Sequence, residues 1–200
     1  MVAGDVAASW PAAAAVPCGG THACVTHTLR ESASCIGGVA LLFPLFAMLP
    51  PSLPPGASES AEPPAALLAR LLKLLRLMLT DSAFDQHFLL RGHGFATLVF
   101  LLRQLPPSIW TVESVSACHG LASCLASESL HNEAIVLLFG EPRLWLFAPL
   151  PVQHMAADFL FEAVSNHPLA FLAPTTHGGP PLLSVQRLLD DLEMYYWDKP

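Results

Sequence analysis

The chain has 200 residues and a formal net charge of −7, with 53% of its residues hydrophobic and only 12% charged. That length builds one substantial core or a few stacked helical repeats, and the charged fraction is well below the ~25% usual for a free-standing domain, so a membrane or other protein is expected to cover part of the surface. The nine Lys and Arg residues are scattered, which excludes a nucleic-acid footprint.

From the N-terminus, residues 1–28 are rich in Ala with no clear period, and a poorly ordered segment is expected there. It has no basic start and carries Asp5, which argues against a signal peptide. Cys18, His22, Cys24 and His27 lie close together within it. Thiolate and imidazole are zinc ligands, but this spacing matches no standard finger, and no metal or cofactor is expected. The five cysteines are an odd number and outline no disulfide framework. That usage suits a reducing, cytoplasmic location.

A helical stretch through Glu31 is expected to break at Gly37 and Gly38. The apolar run Cys35–Leu49 is shorter than the ~20 residues of a membrane span and contains Pro44. It reads as a core helix over 39–48, with Pro44 at a kink or in its early turns. Prolines and small polar residues make 50–64 a flexible surface loop.

The stretch "AALLARLLKLLRLMLTD" is the clearest helix. "DSAFDQHFLLRGHGF" reads as a short helix capped by Asp81 or Ser82 and ended by glycines. "FATLVFLLRQL" is the next, stopped by Pro106 and Pro107. From Thr111 onward, Val112, Val115, Cys118, Leu121, Ala122 and Leu125 fall on one face, and another helix spans about Leu130 to Phe139. Val152, Met155, Ala156, Phe159, Leu160 and Ala163 give the best amphipathic match. A last helix has Val185, Leu188, Leu189, Leu192, Tyr195 and Tyr196 on one side. "AIVLLF" could be a strand, but its neighbours are helical. The fold class is therefore all-α, an armadillo- or HEAT-like α-solenoid of about eight helices over 29–200, although no strict repeat period is present.

"CIGGVALLFPLF", "DSAFDQHFLLRGHGFATLVFLL" and "LLSVQRLLDDLEMYYWDKP", in that order, resemble the helical region that follows the concanavalin-like lectin domain of neurobeachin-type BEACH-domain proteins. The resemblance covers roughly residues 29–200 and includes no catalytic motif. It implies very large cytosolic scaffolds linked to vesicle traffic, membrane dynamics or autophagy. The expected function is that of a non-catalytic scaffold segment. Its partners are other proteins or adjoining domains of the same scaffold, with peripheral membrane contact as an option. The chain stops at Lys199 and Pro200 with no cap. A fragment is expected, one that self-associates when isolated.

Two alternatives belong to other classes. "HGGPP", from His177, has the look of an esterase oxyanion loop, which would make the chain a small hydrolase. That reading needs a G-x-S-x-G elbow, and the sequence has none. Arg70, Lys73 and Arg76 recur every three residues on one helix flank and could touch anionic lipid, making a peripheral membrane module. Three cations at ~1 kcal/mol each attract a membrane weakly, and a solvated stripe with stems over leucines is the plainer reading. His154, Asp158 and Glu162 share a face opposite the apolar stripe and read as solvated. Trp145, Phe147, Tyr195 and Tyr196 read mainly as inter-helix core, whereas Trp197 is the candidate partner contact.

Protein purified without added metal should contain no stoichiometric zinc. Elemental analysis finding one zinc per chain, lost on Cys18→Ser, would overturn that expectation.

Overall fold

Proline and short polar side chains set where the helices begin. The computed structural model describes residues 36–50 and 62–172, together with Ser32, Leu189, Asp190 and Glu193. Among the described residues there is no strand, and there are nine α-helices. They are α1 (Phe43–Ala47), α2 (Pro64–Leu79), α3 (Ala83–Arg91), α4 (Gly94–Leu102), α5 (Val112–Ser123), α6 (Glu128–Phe139), α7 (Pro142–Trp145), α8 (Leu150–Asn166) and α9 (Pro168–Leu172). Short 3-10 helices cover Gly38–Leu42 and Pro107–Ile109. Proline stands in the first turn of α1, α2, α7 and α8, where its missing N–H would have had no helical partner. Pro44 therefore starts α1 rather than kinking a longer helix. Ser82 caps α3 by accepting from Asp85 N, and Ser127 caps α6 by accepting from Leu130 N. Thr111 and Ser114 cap α5 reciprocally. The run "AIVLLF" lies inside α6.

The helices stack in two rows. In one, α2 packs on α5 and α5 on α8; in the other, α1 packs on α4, α4 on α6 and α6 on α9. Contacts of α1 with α2, α5 with α6, α6 with α8 and α8 with α9 tie the rows together. This row arrangement is that of an α-solenoid. Leu68, Leu72, Leu75 and Leu79 bury the inner stripe of α2 almost completely. Val115, Cys118, Leu121 and Ala122 do the same for α5, and Leu125 is buried just after it. Val112, expected on that face, is instead exposed, because it sits in the first turn on the outer side. The expected apolar face of α8 packs as the spacing predicts. Val152 and Ala156 are buried, and Met155, Phe159, Leu160 and Ala163 lie against the core. No helix among the described residues is long and apolar enough to cross a membrane. The expected disorder of 1–28, residues 51–61 of the expected loop over 50–64, and Val185, Leu188, Leu192, Tyr195 and Tyr196 of the last expected apolar face lie outside the described residues. Leu189, expected on that face, is instead 53% exposed.

The glycine pair has a specific steric reason. Gly37 and Gly38 have φ of 138° and 55°, a region that L side chains rarely adopt. A Cβ on Gly38 would also run into Oδ1 of Asp85 on α3. Asp85 is itself buried and receives a hydrogen bond of 2.7 Å from Ser82 Oγ. The 3-10 turn can therefore approach α3 only through a glycine. Gly120 offers a contrast. A Cβ there would meet Arg76 Nη1 at 2.8 Å, but that is the end of a flexible side chain. Gly38→Ala should lower stability by roughly 1–3 kcal/mol, and Gly120→Ala should cost clearly less. Urea unfolding of both variants checks this, and equal midpoint shifts would refute the steric account.

Candidate interaction surface

Among the described residues, no group of three or more His, Cys, Asp or Glu could hold a metal ion. Burial pushes the Cys118 thiol up to about 12, so it is protonated and inert at neutral pH. Burial also raises the Cys124 thiol, whose Sγ lies 3.1 Å from the Leu121 carbonyl. His177, Trp197 and the group Cys18, His22, Cys24 and His27 lie outside the described residues.

The basic stripe lies on the flank of α2 that borders α5. Arg70, Lys73 and Arg76 are all exposed. Arg70 Nη1 pairs with Glu62 at 2.8 Å, and Lys73 Nζ with Glu113 at 2.6 Å. The hydrogen bond and charge of Lys73 hold the Glu113 carboxyl below its ordinary range. Such exposed pairs add little stability, but together they occupy two of the three cations. Arg76 lies over Gly120, so its guanidinium covers a bare stretch of α5.

The seam between α5 and α8 is aromatic. His119 on α5 stacks on Phe159 of α8 with ring centres 4.0 Å apart and planes 7° from parallel. Phe159 meets Phe139 edge-on at 5.8 Å. Phe139 stacks at 6.1 Å on Trp145, which in turn lies 4.6 Å from Trp110. Trp145 is buried and donates from Nε1 to the Leu138 carbonyl at 2.7 Å, so it is core as its spacing suggests. Phe147, two residues on, is exposed. His154, Asp158 and Glu162 occupy the outer arc of α8 and are exposed.

Beside the buried Trp145, a groove of about 260 Å³ opens between α7 and α8, lined by Phe139, Trp145, Leu146, Gln153, Ala156 and Leu160. Gln153 Nε2 fixes the near wall by donating to the Leu146 and Ala148 carbonyls at 3.1 and 2.8 Å. A second depression of about 560 Å³ lies between α3 and the α5–α6 turn. There the buried Gln86 donates to the Leu79 carbonyl at 2.9 Å and accepts from Ala126 N at 3.0 Å. The sequence reading missed both depressions. Gln153 and Gln86 look like ordinary polar positions in the string, and only their backbone partners, five to forty residues away, give them a role.

Burial lowers the pKa of His119 below its ordinary 6.5; Glu162 opposes the shift and His131 adds to it. A folded-state pKa below the unfolded value means that the unfolded chain binds the proton first. The contribution is therefore intact above pH 6.5 and lost as pH falls through the folded pKa. Urea midpoints should fall between about pH 7 and 5, and His119→Phe should flatten that slope. A slope unchanged in the variant would refute it.

Comparison with known proteins places these features. Residues 8–200 match the family described as the neurobeachin/BDCP, DUF4704 alpha solenoid region. The chain is 26% identical over 186 residues to BEACH domain-containing protein B of Arabidopsis thaliana, covering 90% of this chain and 7% of that protein. It is 28% identical over 150 residues to a putative neurobeachin homolog of Caenorhabditis elegans, covering 70% of this chain and 6% of that protein. No solved structure matches the chain. The chain thus spans less than a tenth of the length of these relatives. With its stacked helical rows and its match over residues 8–200, the chain belongs to the neurobeachin/BDCP alpha-solenoid family.

Proposed function

We propose that this chain is a non-catalytic scaffold segment of a large cytoplasmic BEACH-type protein, serving protein–protein contacts in vesicle and membrane traffic or autophagy. The observation that carries the reading is the two-row stack, in which α2, α3, α5 and α8 each bury one stripe and leave an outer arc to solvent. Stacks of this kind offer long surfaces rather than a closed reaction site. The outer arc of α3 bears Phe84 and Phe88 one turn apart, 69% and 46% exposed. Aromatic pairs outside the core are the side chains that anchor partner contacts. The basic stripe of Arg70, Lys73 and Arg76 is the less favoured contact, because Glu62 and Glu113 neutralise two of its charges.

Proximity labelling in cells tests this, using the full-length protein and its Phe84→Glu/Phe88→Glu variant. The variant should remain folded and lose a defined subset of labelled neighbours. An unchanged set, both in that variant and after removal of residues 62–172, would overturn the scaffold reading.

A further inference from the structure

The side of α8 turned away from α5 carries an uncovered apolar row. Phe159 stacks on His119 of α5, whereas Leu150 and Phe161 are 62% and 76% exposed and Ala157 between them is exposed too. At ~100° and ~1.5 Å per residue these three fall within ~40° of one another, in a row ~16 Å long. Leu160 lies next to the row, where the groove of about 260 Å³ opens against α7. That volume exceeds the ~150 Å³ of an apolar cavity that holds a benzene ring, so it takes one large side chain. The N–H donors at its edge are already used. Gln153 Nε2 donates to the Leu146 and Ala148 carbonyls, Gly140 N to Val136 and Leu146 N to Pro142. An apolar side chain that leaves water is therefore favoured there over a polar one.

Charge borders the row on its other side. His154 and Asp158 come next round the helix, with Glu162 one turn beyond Asp158, and all three are exposed. Glu62, Glu113 and Glu141 are each paired with a cation, but among the described residues no salt bridge holds Asp158 or Glu162. Glu162 also acts on His119 through its charge, which leaves Asp158 as the main anchor for a cation. The exposed Arg143 belongs to α7, the opposite wall. We propose that the row and the groove together seat a basic amphipathic helix of a partner protein. Its apolar seam lies along Leu150, Ala157, Leu160 and Phe161, one large apolar side chain enters the groove, and its Lys or Arg residues face Asp158 and Glu162. The short side chain of Ala157 lets that helix come close. The proposal rests on the scaffold reading, but it uses α8 and not the Phe84 and Phe88 arc of α3.

Fluorescence anisotropy with the purified 200-residue chain tests this. The probes are two labelled amphipathic peptides of about 18 residues. Both carry leucines and one Phe on one face; the other face is Lys in one peptide and Glu in the other. The Leu/Lys peptide should bind saturably, and the Leu/Glu peptide roughly tenfold more weakly or worse. Ala157→Arg and Phe161→Ser replace exposed side chains, so both should keep the helical circular dichroism spectrum and bind the Leu/Lys peptide roughly tenfold more weakly. Ser116→Arg, which adds a cation on the exposed arc of α5, should bind it as the parent chain does. Asp158→Lys should narrow the gap between the two peptides. No saturable binding, or binding that the α8 variants leave unchanged, would overturn the proposal. Self-association that Phe161→Ser abolishes would assign the row to a second copy and overturn it too. So would uptake of the chain by phosphatidylcholine–phosphatidylserine vesicles lost in the same variant, which would assign the row to a lipid surface. The assay needs no cellular partner, so its failure leaves the labelling test of the scaffold reading standing.

Discussion

The need to cover the leucine stripe of α2 governs the rest of the fold. A single helix with Leu68, Leu72, Leu75 and Leu79 on one side cannot hide that side itself. Full burial of such a side chain is worth about 2 kcal/mol, so covering all four outweighs any single polar contact nearby. The cover comes from five elements: the 3-10 helices Gly38–Leu42 and Pro107–Ile109, α1, α3 and α5. Once α5 lies on α2, its own stripe is committed inward, and α8 must in turn cover the flank that carries His119. Each helix thereby passes the same requirement to the next, which is why the chain grows as rows.

Polar side chains then fix the ends of the rows, where apolar packing is non-directional and would allow sliding. Gln86 ties the end of α2 to the α5–α6 turn. Trp145 ties α7 back to α6. Arg103, after α4, forms an ion pair with the buried Glu141 that precedes α7. Oε1 of Glu141 is buried without a hydrogen-bond partner, so the pair secures the turn while carrying a desolvation cost. Its value lies in holding position more than in net stability.

The site chemistry follows from this architecture. Thiols that fall inside the rows lose reactivity to burial, as Cys118 does. Charges that fall on flanks are used between helices, as Lys73 and Glu113 are. Among the described residues, outer-arc surface is left to other molecules, notably at Phe84 and Phe88.

The sequence by itself determined the helices and the family. Leucine periodicity, prolines in first turns and Ser or Thr caps are local signals, so α2, α3, α4, α5, α6 and α8 were all legible in the string. The order of three motifs was enough to point to the neurobeachin-type helical region. Short α7 was not legible, because four residues are too few to show a period. Tertiary structure alone decided the rest. It brought Gly38 against Asp85, joining two motifs that the sequence shows 47 residues apart. It turned Val112 outward, set Arg70 and Lys73 against carboxylates, and opened the groove on the free flank of α8. Periodicity fixes which arc of a helix is apolar, but the neighbour that covers each arc depends on chain-distant packing, which no local pattern encodes.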